Sequence, residues 1–449
     1  MGDPDQSIYG WRGARIDNIL NFEEDYPDAT IIRLEQNYRS TKHILSAANS
    51  VIRKNLQRME KDLWTENSDG MPVVFEESPD EYQEARAVIK KIKSLTAATD
   101  GLKYRDIAVF YRTNAQSRVF EEQLIREGMP YAIVGGTRFY DRKEIRDAIA
   151  YLMTVANPAD AMSFQRVINT PSRHIGKAAL DAIVAISAGR GLTLFEALKA
   201  ASSEGVLQQK AKAREFINAI EIFKWAGTAP ADANDSNSQH ATGQVTSEKT
   251  LFSNSNTNNT KPELLSDRTL KLLENSGYMR MLQEEGTEEA FERIENLFEL
   301  VSAIKDFETS NPDSGLNAFL DHVALISAID SYEGQTDVLT LMTIHSAKGL
   351  EFKTVFIAGM EEGLFPLQGS RSSGDEDELE EERRLCYVGM TRAKESLFLH
   401  SARQRTVYGK LRYKERSRFI DEISHEHIKI TGQSEVISQA KPFKRSSNE

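Results

Sequence analysis

Ile44, Leu45, Ala48 and Ile52 recur at helical spacing, which predicts a helix over Thr41 to Asn55. Ser40 or Thr41 is the expected N-cap. Ahead of it, Arg15 to Glu35 reads as a helix and then a strand, Thr30-Ile31-Ile32-Arg33-Leu34. Val73-Val74-Phe75 and Ile107 to Tyr111 are short apolar runs expected as buried strands, with Glu81 to Leu95 as the helix between them. Strand, helix, strand is the rhythm of a parallel sheet. From Gly135 to about Ser331 strand signal almost vanishes and helical segments follow one another, which predicts an all-helical insertion. Within it, Leu264 to Tyr278 and Thr287 to Phe307 are amphipathic helices. Strand signal returns at Val338 to Met342, Thr354 to Gly359 and Leu397 to Leu399, with a loop-to-helix element over Leu379 to Lys394. Arg403 to Tyr413 reads as a hairpin around Gly409. The expected class is α/β, a parallel-sheet domain interrupted by helices.

Composition changes this picture in two places. Thr228 to Glu263 is crowded with Asn, Ser, Thr, Asp and Gln, so it is expected as a disordered loop within the helical part. Ser434 to Glu449 is expected as a disordered polar tail. The 449 residues suggest two to four domains. The single cysteine, Cys386, excludes a disulfide framework and a cysteine-based zinc site, and fits a reducing compartment. No apolar run approaches membrane-span length. The net charge of −12 argues mildly against a nucleic-acid partner, although local Lys and Arg can serve phosphates inside an acidic total.

Gly2 to Ala14 is the chemically richest stretch: Gly-Asp-Pro-Asp-Gln-Ser-Ile-Tyr-Gly-Trp-Arg-Gly-Ala. Its start is turn chemistry. Gln6 offers a donor and an acceptor side by side. Tyr9 and Trp11 offer flat faces beside the cation Arg12, which suits stacked bases with a phosphate close by. A surface loop leading two aromatics into a core is the plainer reading. Arg39 stands just before a helix start, where a phosphate is attracted, or makes a surface salt bridge. Arg112 and Asn114 follow a strand end, where sites collect, or belong to an ordinary helix start capped by Thr113 or Asn114. Thr343-Ile344-His345-Ser346-Ala347-Lys348-Gly349 puts small hydroxyls and glycine after a strand, exposing backbone amides to phosphates. Glu381 and Glu382 with Arg383 and Arg384 read alone as a salt-bridged helix face.

These blocks, in this order, resemble the UvrD/PcrA/Rep family of superfamily 1 DNA helicases over Gly2 to about Ile423, the polar insert excluded. Gly2–Ala14 resembles motif III, Leu34–Ser40 motif IV, Thr343–Phe352 motif V and Leu379–Lys394 motif VI. The resemblance implies RecA-like domains: residues 1–35 ending the first, 36–134 and 332–430 forming the second, 135–331 inserted in it, and 431–449 as tail. It implies ATP with Mg2+ as cofactor, held in part by Gln6, Tyr38 on the adenine, Arg39 and Arg392 on the γ-phosphate, and Glu351 on the ribose. Gln6, Arg39 and Arg392 are the implied catalytic set, with no metal ligand among the residues present. It implies DNA contacts at Tyr9, Trp11, Arg12, Arg112, Asn114, Thr343, His345 and the hairpin tyrosine Tyr408. Thr170 and Gly176 belong to a loop resembling the family's duplex grip, in which His174 stands where the family usually has glycine.

The implied function is an ATP-dependent 3′-to-5′ DNA helicase or translocase in repair or replication, acting on single strands and single-to-double-strand junctions. Such a protein works inside the cell, in a bacterial cytoplasm or in a nucleus or organelle. Repair-protein partners and self-association stay open. No G-x-x-x-x-G-K-[ST] run occurs: Gly176-Lys177 is followed by Ala and Gly409-Lys410 by Leu. The sequence is therefore expected to be a part lacking the phosphate loop and its acidic partner, with negligible hydrolysis by itself. The alternatives are an inert DNA- or protein-binding product and a translocase that strips proteins from single strands.

Overall fold

The five residues Ile107–Tyr111 are buried throughout, and successive side chains enter opposite faces of the sheet. Ala108 and Phe110 join one core, with Ile44, Ala48, Leu385 and Val388; Ile107, Val109 and Tyr111 join the other, with Ala85, Val88, Val119 and Phe120. A strand apolar on both sides needs helices over both faces, and that is the arrangement found. The computed structural model describes residues 2–59, 61–98, 101–226, 263–329, 336–367, 376–407 and 410–432. The polar insert, the 434–449 tail, most of the 367–377 loop and the hairpin tip with Tyr408 lie outside the described residues.

The strands are β1 (Val73–Asp80), β2 (Ile107–Tyr111), β3 (Tyr131–Ile133), β4 (Leu339–Thr343), β5 (Phe352–Ile357), β6 (Ala393–Val407), β7 (Lys410–Tyr413) and β8 (Ile428–Gly432). Their order is β3-β4-β2-β5-β6-β1-β8, with every pairing parallel except β6 with β7. β1 and β2 are thus separated by β5 and β6, which return from the far end of the chain. The expected hairpin is present: Val407 pairs with Lys410 and Gln404 with Tyr413. Met1–Arg142 and Val323–Glu449 form one compact unit, and Lys143–His322 forms a second.

The helical unit is built around aromatic packing. Phe216 lies 5.9 Å from Tyr151, 6.1 Å from Phe164 and 6.4 Å from Phe195, ring to ring. Asp147 is buried but paired, accepting from Arg166 at 2.7 Å and from the Tyr278 hydroxyl at 2.9 Å. No single described helix is long and apolar enough to cross a membrane.

One expected element is absent. Thr30–Leu34 is extended but unpaired, and Ile32 and Leu34 are 80% and 71% exposed. A strand persists by exchanging backbone hydrogen bonds with a neighbour, and no described strand runs beside this segment. The first pairing after it is the isolated bridge between Gln36 and Trp64. The helix at Lys42–Ile52 does begin after Thr41, yet Thr41 makes no side-chain cap bond.

Candidate functional site

Asn37 organises the turn that presents Arg39. Its Oδ1 accepts from the backbone N–H of Arg39 and of Ser40, each at 2.9 Å. Ser40 Oγ donates to the Ala393 carbonyl at 2.7 Å, and the Thr41 N–H to the Lys394 carbonyl at 3.0 Å. These bonds stitch the turn to the start of β6, so Arg39 faces Thr391 and Arg392. Arg39 Nε donates to Glu351 Oε2 at 2.7 Å, and Nη1 reaches the Thr391 carbonyl at 3.4 Å. Lys394 Nζ holds the other oxygen of Glu351 at 2.7 Å. Lys394 first and Arg39 second hold the Glu351 carboxyl down to about 2.

Arg392 is 3% exposed and lies against the end of the Glu376–Met390 helix. Its guanidinium donates to the carbonyls of Val388 at 3.0 Å and Leu350 at 3.3 Å, and to Thr391 Oγ1 at 3.2 Å. A cation suits a helix C-terminus. Burial, followed by the neighbouring Arg39 charge, lowers its pKa to about 10, so it stays charged at neutral pH. Two guanidinium groups that repel one another, with a single carboxylate between two cations, form a site short of negative charge. Tyr38 stands beside them with its ring 78% exposed and its hydroxyl donating to Gln36 at 2.7 Å.

The Gly2–Ala14 run folds by its own turn chemistry. Asp3 Oδ1 caps the Asp5 N–H at 3.0 Å, and Gln6 Nε2 donates to Asp3 Oδ2 at 2.6 Å. Lys348 Nζ donates to the Gln6 carbonyl at 2.9 Å, and Arg384 Nε to the Ser7 carbonyl at 3.1 Å. Gly10–Arg12 forms a single tight turn closed by Gly13 at φ 83°, a left-handed conformation suited to glycine. Tyr9 is half-buried; its hydroxyl donates to the His345 carbonyl at 3.2 Å and its ring lies 6.2 Å from the His345 ring. The Arg12 guanidinium is 6.0 Å and Lys348 Nζ 5.3 Å from the centre of the Tyr9 ring. The side chain of Trp11 lies outside the described residues.

Burial, with Arg112 and Arg12 adding repulsion, lowers the His345 pKa to about 3, so the ring is neutral at physiological pH. Thr343 Oγ1 and Ser346 Oγ are 3.0 Å apart at the end of β4. Arg112 lies near His345, but its guanidinium is engaged with Glu382 through contacts of 3.0, 3.1 and 2.7 Å. Asn114 opens the short turn that leads into the Ser117–Arg126 helix, beside Gly136. Arg39, Glu351 and Arg392 thus come together, with Asp3, the partner of Gln6, in the field of Arg392; Tyr9, Arg12, Arg112 and His345 form a second group, with Thr343 and its partner Ser346 in the loop that carries His345.

In the helical unit, Thr170 Oγ1 donates to the Arg166 carbonyl at 3.1 Å, and Gly176 is the N-cap residue of the Lys177–Arg190 helix. The loop between them is folded around buried Arg173, which donates to the carbonyls of Val167, Ile168 and Ser276 at 2.9, 3.0 and 2.8 Å. His174, with φ 56°, is the described non-glycine residue in the left-handed region.

Sequence reasoning missed the roles of Lys348 and Lys394, whose signal was their place inside the two quoted blocks. It also misread residues 381–384. The charged groups there latch mainly to other segments: Glu381 to Gly10, Glu382 to Arg112, Arg383 to Asn55 and Glu422, and Arg384 to Ser7, although Arg384 also lies 3.6 Å from Glu380 one helical turn back. Pairing four residues apart is favoured on an exposed helix, but this one is buried from Glu382 onward, so its charges seek the segments packed against it.

The model of the UvrD-like helicase C-terminal domain matches residues 32–404, and that of the UvrD/REP helicase N-terminal domain matches residues 1–27. The chain belongs to the UvrD-like helicase family. Its UvrD-like match extends to named relatives. It is 45% identical over 429 residues to the ATP-dependent DNA helicase PcrA of Bacillus subtilis, an alignment covering 94% of this chain and 53% of that one. The PcrA of Staphylococcus aureus Mu50 is 41% identical over 448 residues, covering 99% and 57%. The PcrA of Staphylococcus epidermidis is 42% identical over 428 residues, covering 95% and 54%. The chain therefore spans about half the length of the curated relatives it matches. Its α/β fold with a parallel sheet is that expected for the RecA-like part of a UvrD-like helicase.

Proposed function

We propose that this chain is the nucleotide-sensing and strand-gripping part of an ATP-dependent DNA helicase that moves 3′ to 5′ along single-stranded DNA. The observation that carries the reading is the convergence of Arg39, Arg392 and Glu351 beside Gln6. Arg39 and Arg392 meet the γ-phosphate and stabilise charge on it as it leaves, the role of planar, permanently charged donors in phosphoryl transfer. Glu351 accepts from the ribose hydroxyls, and Tyr38 offers its exposed ring to the adenine. Tyr9, Arg12 and His345 hold the strand, stacking its bases and meeting its phosphates.

The donor set fits a nucleoside triphosphate, because its uncompensated charge is positive. Among the described residues no group of three or more His, Cys, Asp or Glu could hold a metal ion. The 449 residues contain no phosphate-loop run, so the chain by itself turns over ATP negligibly. The reading places the protein inside the cell with DNA as partner, at single strands and junctions.

Fluorescence anisotropy of the 449-residue chain with labelled oligo(dT) tests this. Binding that weakens steeply with salt, as phosphate contacts require, and that weakens further in Tyr9→Ala supports the reading. No binding at low salt, or ATP turnover at ordinary helicase rates by this chain, contradicts it.

A further inference from the structure

We infer that Glu381 is a positioning residue that holds the Tyr9–Arg12 turn in its strand-gripping arrangement. The inference rests on the strand-gripping reading and goes beyond it by naming what fixes the grip. Glu381 Oε1 accepts from the Gly10 N–H at 3.0 Å. Gly10 opens the tight turn that carries Trp11 and Arg12, so the bond is made at the hinge of the turn. A helix or tight turn leaves its first N–H groups unsatisfied, and a carboxylate is a strong acceptor for them.

The approach is close. A Cβ on Gly10 would lie 2.3 Å from Glu381 Oε2 and 3.1 Å from its carboxyl carbon, so even alanine forces the carboxylate aside. The flanking carboxylates tie down the helix backbone on either side of Glu381. Glu380 accepts from the Leu56 N–H at 2.6 Å and the Gln57 N–H at 3.2 Å, and Glu382 accepts from Arg112 at 2.7 Å and the Leu367 N–H at 3.0 Å. The helix bearing all three ends at Met390, nine residues or about 14 Å along its axis from Glu381 and two residues before Arg392. One helix therefore carries the latch on the strand-gripping turn near its start, and its last turn, through the Val388 carbonyl, holds the Arg392 guanidinium. A shift of this helix when Arg392 engages a nucleotide moves Gly10 with it.

The test is oligo(dT) affinity of wild type, Glu381→Ala, Glu381→Gln, Gly10→Ala and the Gly10→Ala/Glu381→Ala double variant, by anisotropy at one salt concentration. Glu381→Ala is expected to weaken binding about fivefold, the effect of one lost hydrogen bond. Glu381→Gln keeps an acceptor and is expected to bind within about twofold of wild type. Gly10→Ala is expected to weaken binding as much as Glu381→Ala, and the double variant no more than either alone, because both remove the same contact. Equal affinities for wild type and Glu381→Ala overturn the inference. So does tighter binding by both Glu381→Ala and Glu381→Gln, which marks the carboxylate as a repulsive charge only. Additive losses in the double variant overturn it too. Failure of wild type to bind oligo(dT) at all overturns the strand-gripping reading instead, and the two failures are distinct. Melting temperatures within a few degrees of wild type confirm that the variants fold.

Discussion

Arg39 and Glu351, 312 positions apart in sequence, meet in an ion pair of 2.7 Å just ahead of the central strand β5. Their side chains are 29% and 43% exposed, so the pair adds little to stability. Glu351→Gln is expected to move the melting temperature by no more than about 2 °C while weakening binding of a fluorescent ATP analogue several-fold. Because the carboxyl is held down to about 2, its contribution is complete above its unfolded value of about 4.5 and is lost only as pH falls through about 2. Nucleotide binding should therefore show no Glu351 titration between pH 7 and 5. An unchanged affinity in Glu351→Gln contradicts its ribose role.

Arg112 and Glu382 form a bidentate pair, 17% and 10% exposed. Arg112→Ala leaves Glu382 buried with only the Leu367 N–H among its named donors. The cost is about 2 kcal/mol, read as a fall in melting temperature of about 3–4 °C. If Arg112 served DNA alone, binding would fall and the melting temperature would stay.

Arg405, near the hairpin tip, bridges two carboxylates that are almost wholly buried. It lies 2.7 Å from Glu84 and 2.6 Å from Glu361, which are 1% and 0% exposed. Burial and the Glu361 charge raise the Glu84 pKa, while Arg405 opposes the rise. Arg405→Met abandons both acids and should cost about 3–5 kcal/mol. Urea unfolding followed by far-UV circular dichroism reads it; an unchanged midpoint contradicts the pairing.

His174 occupies a left-handed conformation at φ 56° without glycine's freedom. His174→Gly should stabilise the helical unit by up to about 1 kcal/mol, strain relief being partly offset by the greater entropy of the unfolded chain. If the Thr170–Gly176 loop grips duplex phosphates through its backbone, the same change also tightens binding to a blunt duplex. A weaker duplex affinity would make the imidazole itself a contact.

Much of this was legible in the sequence because it is local. The buried strand at Ile107–Tyr111, the parallel rhythm and the helical insertion follow from periodicity alone. The gathering of Arg39, Glu351 and Arg392 does not: it rests on β5 and β6 inserting between β1 and β2, an order no local pattern reveals, and only the family resemblance linked these residues. The Thr30–Leu34 strand failed because its apolar pattern met no pairing partner. The run Glu381 to Arg384 misled because adjacent opposite charges look alike whether they pair with one another along a helix or reach other segments. Only packing decides between the two.

The convergence of Arg39 and Arg392 on one triphosphate is best measured by titrating the 449-residue chain with a fluorescent ATP analogue. Wild type is compared with Arg39→Ala, Arg392→Ala and, as a control on the exposed surface, Arg15→Ala. Each of the first two is expected to weaken binding tenfold or more, about 1.4 kcal/mol or above for a charge-assisted phosphate contact, with Arg15→Ala unchanged. Equal affinity for all four proteins, or loss in one arginine variant alone, would contradict a shared γ-phosphate site.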